Sequence, residues 1–146
     1  VLHFQRMKVI LLILLLASSA GAGVVTYERV TETILRESGG NPRAVGLAGE
    51  VGLGQIKPVA VRDLREHFGW TVTEKDRWCP RLNRVMTEGF LVLTEKRLAK
   101  RLKRPPTWRE VEAAYINGVD GYFRNFRHGL ADVTERVVPR MGTKGT

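Results

Sequence analysis

Helical spacing cut by abrupt stops is the feature that most limits what this chain can form. Apolar residues recur at three- and four-residue intervals, while strict alternation, the mark of a half-buried strand, is scarce. The stops are of a kind helices do not pass. Gly39-Gly40-Asn41-Pro42 closes a first helix expected from about Thr26 to Glu37. Pro58 opens a second that runs to about Phe68, before Gly69. A long third covers roughly Leu82 to Lys103, with Met86, Phe90, Leu93 and Leu98 supplying much of its apolar face, and Pro105-Pro106 stops it. Thr107-Trp108-Arg109-Glu110 reads as a capping box that starts a fourth helix ending near Gly118. A last helix is expected over about Asp132 to Arg140. Residues 43–54, rich in glycine and small apolar side chains, read as a loop. The pattern predicts an all-α fold, a compact helical domain rather than a symmetric bundle.

The first 22 residues read differently. Arg6 and Lys8 precede an unbroken apolar run from Val9 to Leu16, followed by Ala17-Ser18-Ser19-Ala20-Gly21-Ala22. That order of charge, apolar stretch and small residues is that of a secretory signal peptide, with cleavage after Ala20 or Ala22. The run is far short of the roughly 20 residues that span a bilayer. The expected organisation is therefore a signal peptide over 1–22 and one domain over 23–146, enough chain for a core without staples.

The 146 residues carry a formal charge of +9, and the leader accounts for two of those cations. A basic exported protein suits an anionic cell wall, lipid head groups or nucleic acid, and a solubilising surface is an equal reading. Lys96, Arg97, Lys100, Arg101, Lys103 and Arg104 crowd the end of the third helix, where the dipole favours cations, so this cluster has a structural explanation too. No aromatic platform interleaves it, which argues against nucleic acid. The single cysteine, Cys79, excludes an intramolecular disulfide and reads as a buried apolar filler. No metal-ligand spacing and no phosphate-binding glycine loop is present, so neither a metal nor a cofactor is expected.

Chemistry concentrates at Glu37. Tyr27, Val30 and Ile34 follow core-facing spacing, and the next member of that stripe is Glu37. Glu28 and Glu32 fall off it. An inward carboxyl in a final helical turn meets the negative end of the dipole and a partly desolvated site, and both favour its protonated form. A carboxylic acid held protonated near neutral pH can donate to a leaving oxygen. The alternative is a helix-end glutamate turned to solvent.

The segment that follows carries a resemblance. Glu37-Ser38, then Asn41-Pro42-Arg43-Ala44-Val45, then Gly49-Glu50-Val51-Gly52-Leu53-Gly54-Gln55-Ile56 before Pro58 resembles the soluble lytic transglycosylase family of the lysozyme-like superfamily. Cys79-Pro80-Arg81-Leu82-Asn83 and Ala113-Ala114-Tyr115-Ile116-Asn117-Gly118 are weaker echoes, and together they span roughly residues 26–138. The resemblance implies a lysozyme-like helical domain that cuts peptidoglycan glycan strands. It implies Glu37 as catalytic acid, Ser38 as the side chain that orients it, Gln55 as a cleft residue for acetamido sugars and Tyr115 as a hydroxyl near the acid. Gln55 as a loop-satisfying amide and Tyr115 as a core aromatic remain open. Two departures stand out. Gly54 replaces the methionine the family often has before the glutamine, removing an apolar wall. Asn117 is one residue late, about a 100° rotation on a helix, and serves equally as a helix cap.

The implied reaction needs one carboxyl and no metal or cofactor. Glu37 protonates the oxygen between N-acetylmuramic acid and N-acetylglucosamine, then deprotonates the muramic C6 hydroxyl to close a 1,6-anhydro ring. Glu50, in the glycine-rich loop, is the rival. Facing Glu37 across the substrate it would activate water as in an inverting lysozyme, and otherwise it pairs with Lys57 or Arg43. A third reading is an inactive domain that only binds peptidoglycan. The implied partner is the glycan strand, with no nucleic acid and no membrane span after leader removal, and the setting stays open between opening the wall for a secretion or conjugation apparatus, phage entry and wall turnover. The implied form is a monomer in the periplasm or cell envelope.

Overall fold

The computed structural model describes residues 23–126, with Phe126 described by its backbone alone. The expected leader and the expected helix at 132–140 lie outside the described residues. Within them the chain forms five α-helices and one short 3-10 helix: α1 (Tyr27–Ser38), α2 (Pro58–Phe68), the 3-10 turn (Glu74–Trp78), α3 (Pro80–Leu102), α4 (Trp108–Asn117) and α5 (Val119–Phe126). No strand is present among them, only two isolated bridges that pair Val51 with Val45 and with Ile56. The fold is all-α.

Each helix boundary has a local cause. Thr26 caps α1 by accepting from the Arg29 amide, and Gly39 ends it in the left-handed conformation. Pro58 sits in the first turn of α2 and Pro80 in that of α3, where a missing N–H costs nothing. The capping box of α4 is formed in full: Glu110 accepts from the Thr107 amide at 2.8 Å while Thr107 Oγ1 accepts from the Glu110 amide at 3.3 Å.

Helix α3 is the axis of the packing. Met86 joins Ile56, Ala60, Val61, Leu64, Trp70 and Val72 in one apolar cluster. Leu91 and Leu98 join Val30, Ile34, Val111, Ala113, Ala114 and Tyr122 in another. A helix that feeds two clusters is buried on several sides, which is why its sequence shows no narrow stripe. Leu91 is fully buried beside the expected Met86, Leu93 and Leu98, whereas Phe90 is only partly covered.

Three sequence expectations need correction. Tyr27 is 70% exposed, because the first turn of α1 lies at the edge of the fold. Its ring carries the Arg84 guanidinium at 4.2 Å, and Thr33 joins Val30 and Ile34 on the buried face in its place. Cys79 is exposed at the start of α3 rather than buried. Helix α5 begins directly after Gly118, which had been read only as a stop.

Half of the basic cluster is consumed by structure. Arg97 pairs with Asp63 of α2 at 2.7 Å, Arg101 with Asp120 of α5 at 2.5 Å, and Arg104 grips Glu110 through two nitrogens at 2.6 and 2.9 Å. The last pair is the most consequential, since Glu110 is buried and also accepts from the Tyr122 hydroxyl. The Arg104 hydrogen bonds hold the Glu110 carboxyl down at about 2, from an ordinary 4.5, against the opposing effect of burial.

A depressed carboxylate stabilises the fold fully above its unfolded value, and that stability is lost as pH falls through the folded one. We therefore expect on the order of 3 kcal/mol at most to disappear between about pH 4.5 and pH 2, and less in salt because Arg104 is half exposed. Urea midpoints taken across that range should fall more steeply for the wild type than for Arg104→Met. Equal slopes would remove this pair as the source.

Candidate active site

The loop between α1 and α2 anchors itself in the core through Val51 and Ile56, and the glycine-rich backbone around them takes its shape from hydrogen bonds. Within it, the Gly46 amide donates to the Glu50 carbonyl at 2.8 Å, the Gly52 amide to the Ala44 carbonyl at 2.8 Å, and Val51 and Ile56 exchange amide bonds at 3.3 and 3.0 Å. From beneath, the fully buried Asn83 of α3 completes three more. Its oxygen accepts from the Gly54 amide at 2.8 Å, and its nitrogen donates to the carbonyls of Val51 at 2.9 Å and Arg77 at 2.7 Å. Arg77, itself buried, donates to the carbonyls of Gly49 at 2.8 Å and Ile56 at 2.9 Å.

Two further bonds tie the loop to the flanking helices. Ser38, at the end of α1, donates to the Leu53 carbonyl at 2.7 Å. Tyr115, on α4, donates to the next carbonyl, that of Gly54, at 2.6 Å, and its ring meets Phe90 edge-on. Glu37 is half-buried in the final turn of α1 beside Ser38. Its charge reaches Tyr115. Burial pushes the Tyr115 phenol well above its ordinary value, the Glu37 carboxylate adds to that, and a Thr87 hydrogen bond opposes it only in part. The residue before Glu37 contributes another link, since Arg36 forms an ion pair with the buried Glu112 of α4, one turn before Tyr115. Glu37, Ser38, Leu53, Gly54 and Tyr115 thus meet where α1, the loop and α4 converge.

The sequence profile of the transglycosylase SLT domain matches residues 20–128. The chain belongs to the SLT domain family. The endo-type membrane-bound lytic murein transglycosylase A of Klebsiella pneumoniae subsp. pneumoniae is 33% identical over 129 residues, covering 84% of this chain and 63% of that protein. The protein of the same description from Cronobacter sakazakii is 30% identical over 117 residues, covering 77% of this chain and 58% of its own length. This SLT domain therefore spans less than two thirds of these curated relatives.

The remaining site residues singled out in the sequence fall into place around the SLT loop. Gln55 adopts a left-handed φ of 50°, a conformation that strains a non-glycine residue by about 1–3 kcal/mol. Its side-chain nitrogen donates to the carbonyls of Gly52 at 3.0 Å and Ala44 at 3.3 Å, so at least that end of the amide braces the loop. Glu50 accepts from the Ala48 amide at 2.8 Å and pairs with Lys57 at 3.5 Å. Burial pushes its carboxyl up, but its own amide, the Ala48 amide and Lys57 together outweigh this, and the net shift is downward. Asn117 is exposed, and its nitrogen donates to the Ala113 carbonyl one turn back at 2.8 Å, a helix-end bond. Among the described residues no group of three or more His, Cys, Asp or Glu side chains is placed to hold a metal ion.

Sequence reasoning missed Arg77 altogether and saw Asn83 only as part of a motif, because their partners lie 21 to 32 residues away. It also missed why position 54 is glycine. A Cβ there would lie 1.9 Å from Thr87 Oγ1 and 2.8 Å from Thr87 Cβ and Cγ2. Thr87 is fully buried and cannot swing aside. Gly54→Ala should cost about 1–3 kcal/mol of overpacking strain. Thr87→Gly removes all three obstructing atoms, at less than about 1 kcal/mol of helix propensity plus the cost of the cavity it leaves. The double variant should therefore lose less stability than the two single losses added, as read from urea midpoints. Strict additivity would show that the clash relaxes by another route.

Proposed function

We propose that this SLT domain is a lytic transglycosylase that cleaves the bond between N-acetylmuramic acid and N-acetylglucosamine in peptidoglycan, with Glu37 as its acid and then its base. The observation that carries this reading is the placement of Glu37. It is a half-buried carboxyl in the last turn of α1, electrostatically coupled to Tyr115, at the junction with a loop clamped from three helices. Family membership and the activity named for its relatives support the same substrate.

In this mechanism Glu37 first donates its proton to the glycosidic oxygen as the bond to the anomeric carbon breaks. The acetamido group of the muramic sugar stabilises the positive charge that develops there. Ionised Glu37 then takes the proton of the C6 hydroxyl, whose oxygen closes on the anomeric carbon. Water is not consumed, and Glu37 ends protonated as it began. Ser38 and Tyr115 act by fixing consecutive carbonyls of the loop that lies against the acid. Gln55 is held by the same loop and offers its amide oxygen to acetamido groups of the strand. Asn117 is assigned to the end of α4. We assign Glu50 to the loop rather than to catalysis, because its oxygens are used by the Ala48 amide and Lys57. The setting this implies is the cell envelope, as the relatives' membrane-bound descriptions suggest. There the domain works as a monomer on glycan strands.

Glu37→Gln should reduce clearing of purified peptidoglycan by a factor of about 10² or more, as expected for loss of a general acid. Wild-type products should be lighter by one water than those of a hydrolase, and Glu50→Gln should not change their mass. Reducing muramic ends would make the enzyme a lysozyme. Wild-type protein that sediments with peptidoglycan without cutting it would make it a binding domain.

A further inference from the structure

The end of α3 carries six cations, and the structure separates them by residue type. The arginines are spent on acids of other segments: Arg97 on Asp63, Arg101 on Asp120 and Arg104 on Glu110. Lys96, Lys100 and Lys103 take part in no ion pair among the described residues. They recur at i, i+4 and i+7, so they share one face, and all three are exposed. The nearby acids are turned to other partners, since Glu95 accepts from the Val24 amide at 3.0 Å and Asp63 holds Arg97.

Helix stability does not account for this stripe. The dipole favours cations only within the last turn, and Lys96 lies more than a turn before the end at Leu102. Lys103 stands against the local preference. It caps the helix with a φ of 56°, the left-handed conformation that glycine adopts freely and a lysine only under strain. Nor is the face purely cationic. Val92 and Ala99, four residues before and three after Lys96, lie on the same side and keep part of their surface exposed. The Lys96 ammonium stands over the Phe68 ring at 5.2 Å, and that ring is itself only partly buried.

An unpaired positive face is complementary to negative charge, and its composition decides which kind. Lysines ranged over a shallow apolar strip suit lipid headgroups: the ammonium groups meet phosphate while the stems lie along the apolar part. A nucleic acid draws on arginines, which grip phosphate through two nitrogens and stack on bases, and here the arginines are taken. A dissolved polyanion gains nothing from Val92 and Ala99. We propose that the Lys96, Lys100 and Lys103 face of α3 docks the domain on an anionic phospholipid surface. This is independent of the reading of Glu37 as the acid.

The test is flotation of the full chain with vesicles of equal parts phosphatidylglycerol and phosphatidylcholine. Lys96→Gln, Lys100→Gln and Lys103→Gln should each weaken binding about fivefold, and the three together on the order of 10²-fold. A control carrying Lys75→Gln, Arg81→Gln and Arg109→Gln removes the same charge from exposed positions elsewhere and should lose far less. Any contribution of residues 1–22 is common to every variant and cancels in the comparison. Lys103→Gly separates docking from stability: it should bind about fivefold more weakly while its urea midpoint holds or rises. The proposal is overturned if the triple lysine variant floats like the wild type, if the control loses as much, or if Lys103→Gly lowers the midpoint without weakening binding. Double-stranded DNA that binds with the same dependence on the three lysines, where the vesicles do not, would overturn it in favour of a nucleic-acid surface.

Discussion

One buried amide sets the geometry on which the site depends. Asn83 lies on the central helix with no exposed surface, and all three of its side-chain hydrogen bonds go to backbone. Without that side chain the Gly54 N–H and the Arg77 carbonyl would lose this partner, at about 1–3 kcal/mol each, while the Val51 carbonyl would keep only the Ile56 amide. Hydrophobic burial fixes the loop it holds at Val51 and Ile56, but not along the glycines around them. Polar contacts from a rigid helix do the work instead, and Arg77 extends them by bonding the carbonyls of Gly49 and Ile56. The amide dictates the residue at 52 as well. Gly52 has a φ of 75°, and a Cβ there would lie 2.3 Å from Asn83 Nδ2.

From this clamp follows the position of everything near Glu37. With the Gly54 amide fixed by Asn83, its carbonyl faces Tyr115, and the Leu53 carbonyl before it faces Ser38. Three helices thereby share two adjacent peptide groups, so a shift in any one helix is felt at the others. Such preorganisation is what electrostatic catalysis needs, since groups already in place cost no reorganisation during reaction. The absence of a methionine before Gln55 looks like a defect in the sequence. In the structure Thr87 stands where a side chain on residue 54 would begin, so the space is filled from α3 instead of from the loop.

What was legible in the sequence was local. Caps, prolines and glycine stops fixed α2 and α4 closely because those signals act within three or four residues of one another. Glu37 was legible because helical phase is local too. What was lost needed distance. Helix α5 was missed because Gly118 and Gly121 outweigh a short run of apolar residues, and its packing through Tyr122 onto α3 and α4 cannot be read from eight residues. The basic end of α3 could not be divided into structural and free charge without Asp63, Asp120 and Glu110, which arrive from three other segments. Cys79 and Tyr27 were misjudged because side-chain type was taken for burial at helix starts, where the chain meets solvent.

The hydroxyls around Glu37 constrain its chemistry in one further respect. A hydroxyl has a single proton to give and two lone pairs to offer. Ser38 has given its proton to backbone carbonyls, and Tyr115 has given its own to Gly54. Burial and the Glu37 charge both keep the Tyr115 phenol protonated, so it does not compete as a base at any working pH. Both hydroxyls are thereby committed to backbone, and in the reading proposed above they act on the acid through the loop they hold rather than by passing it protons.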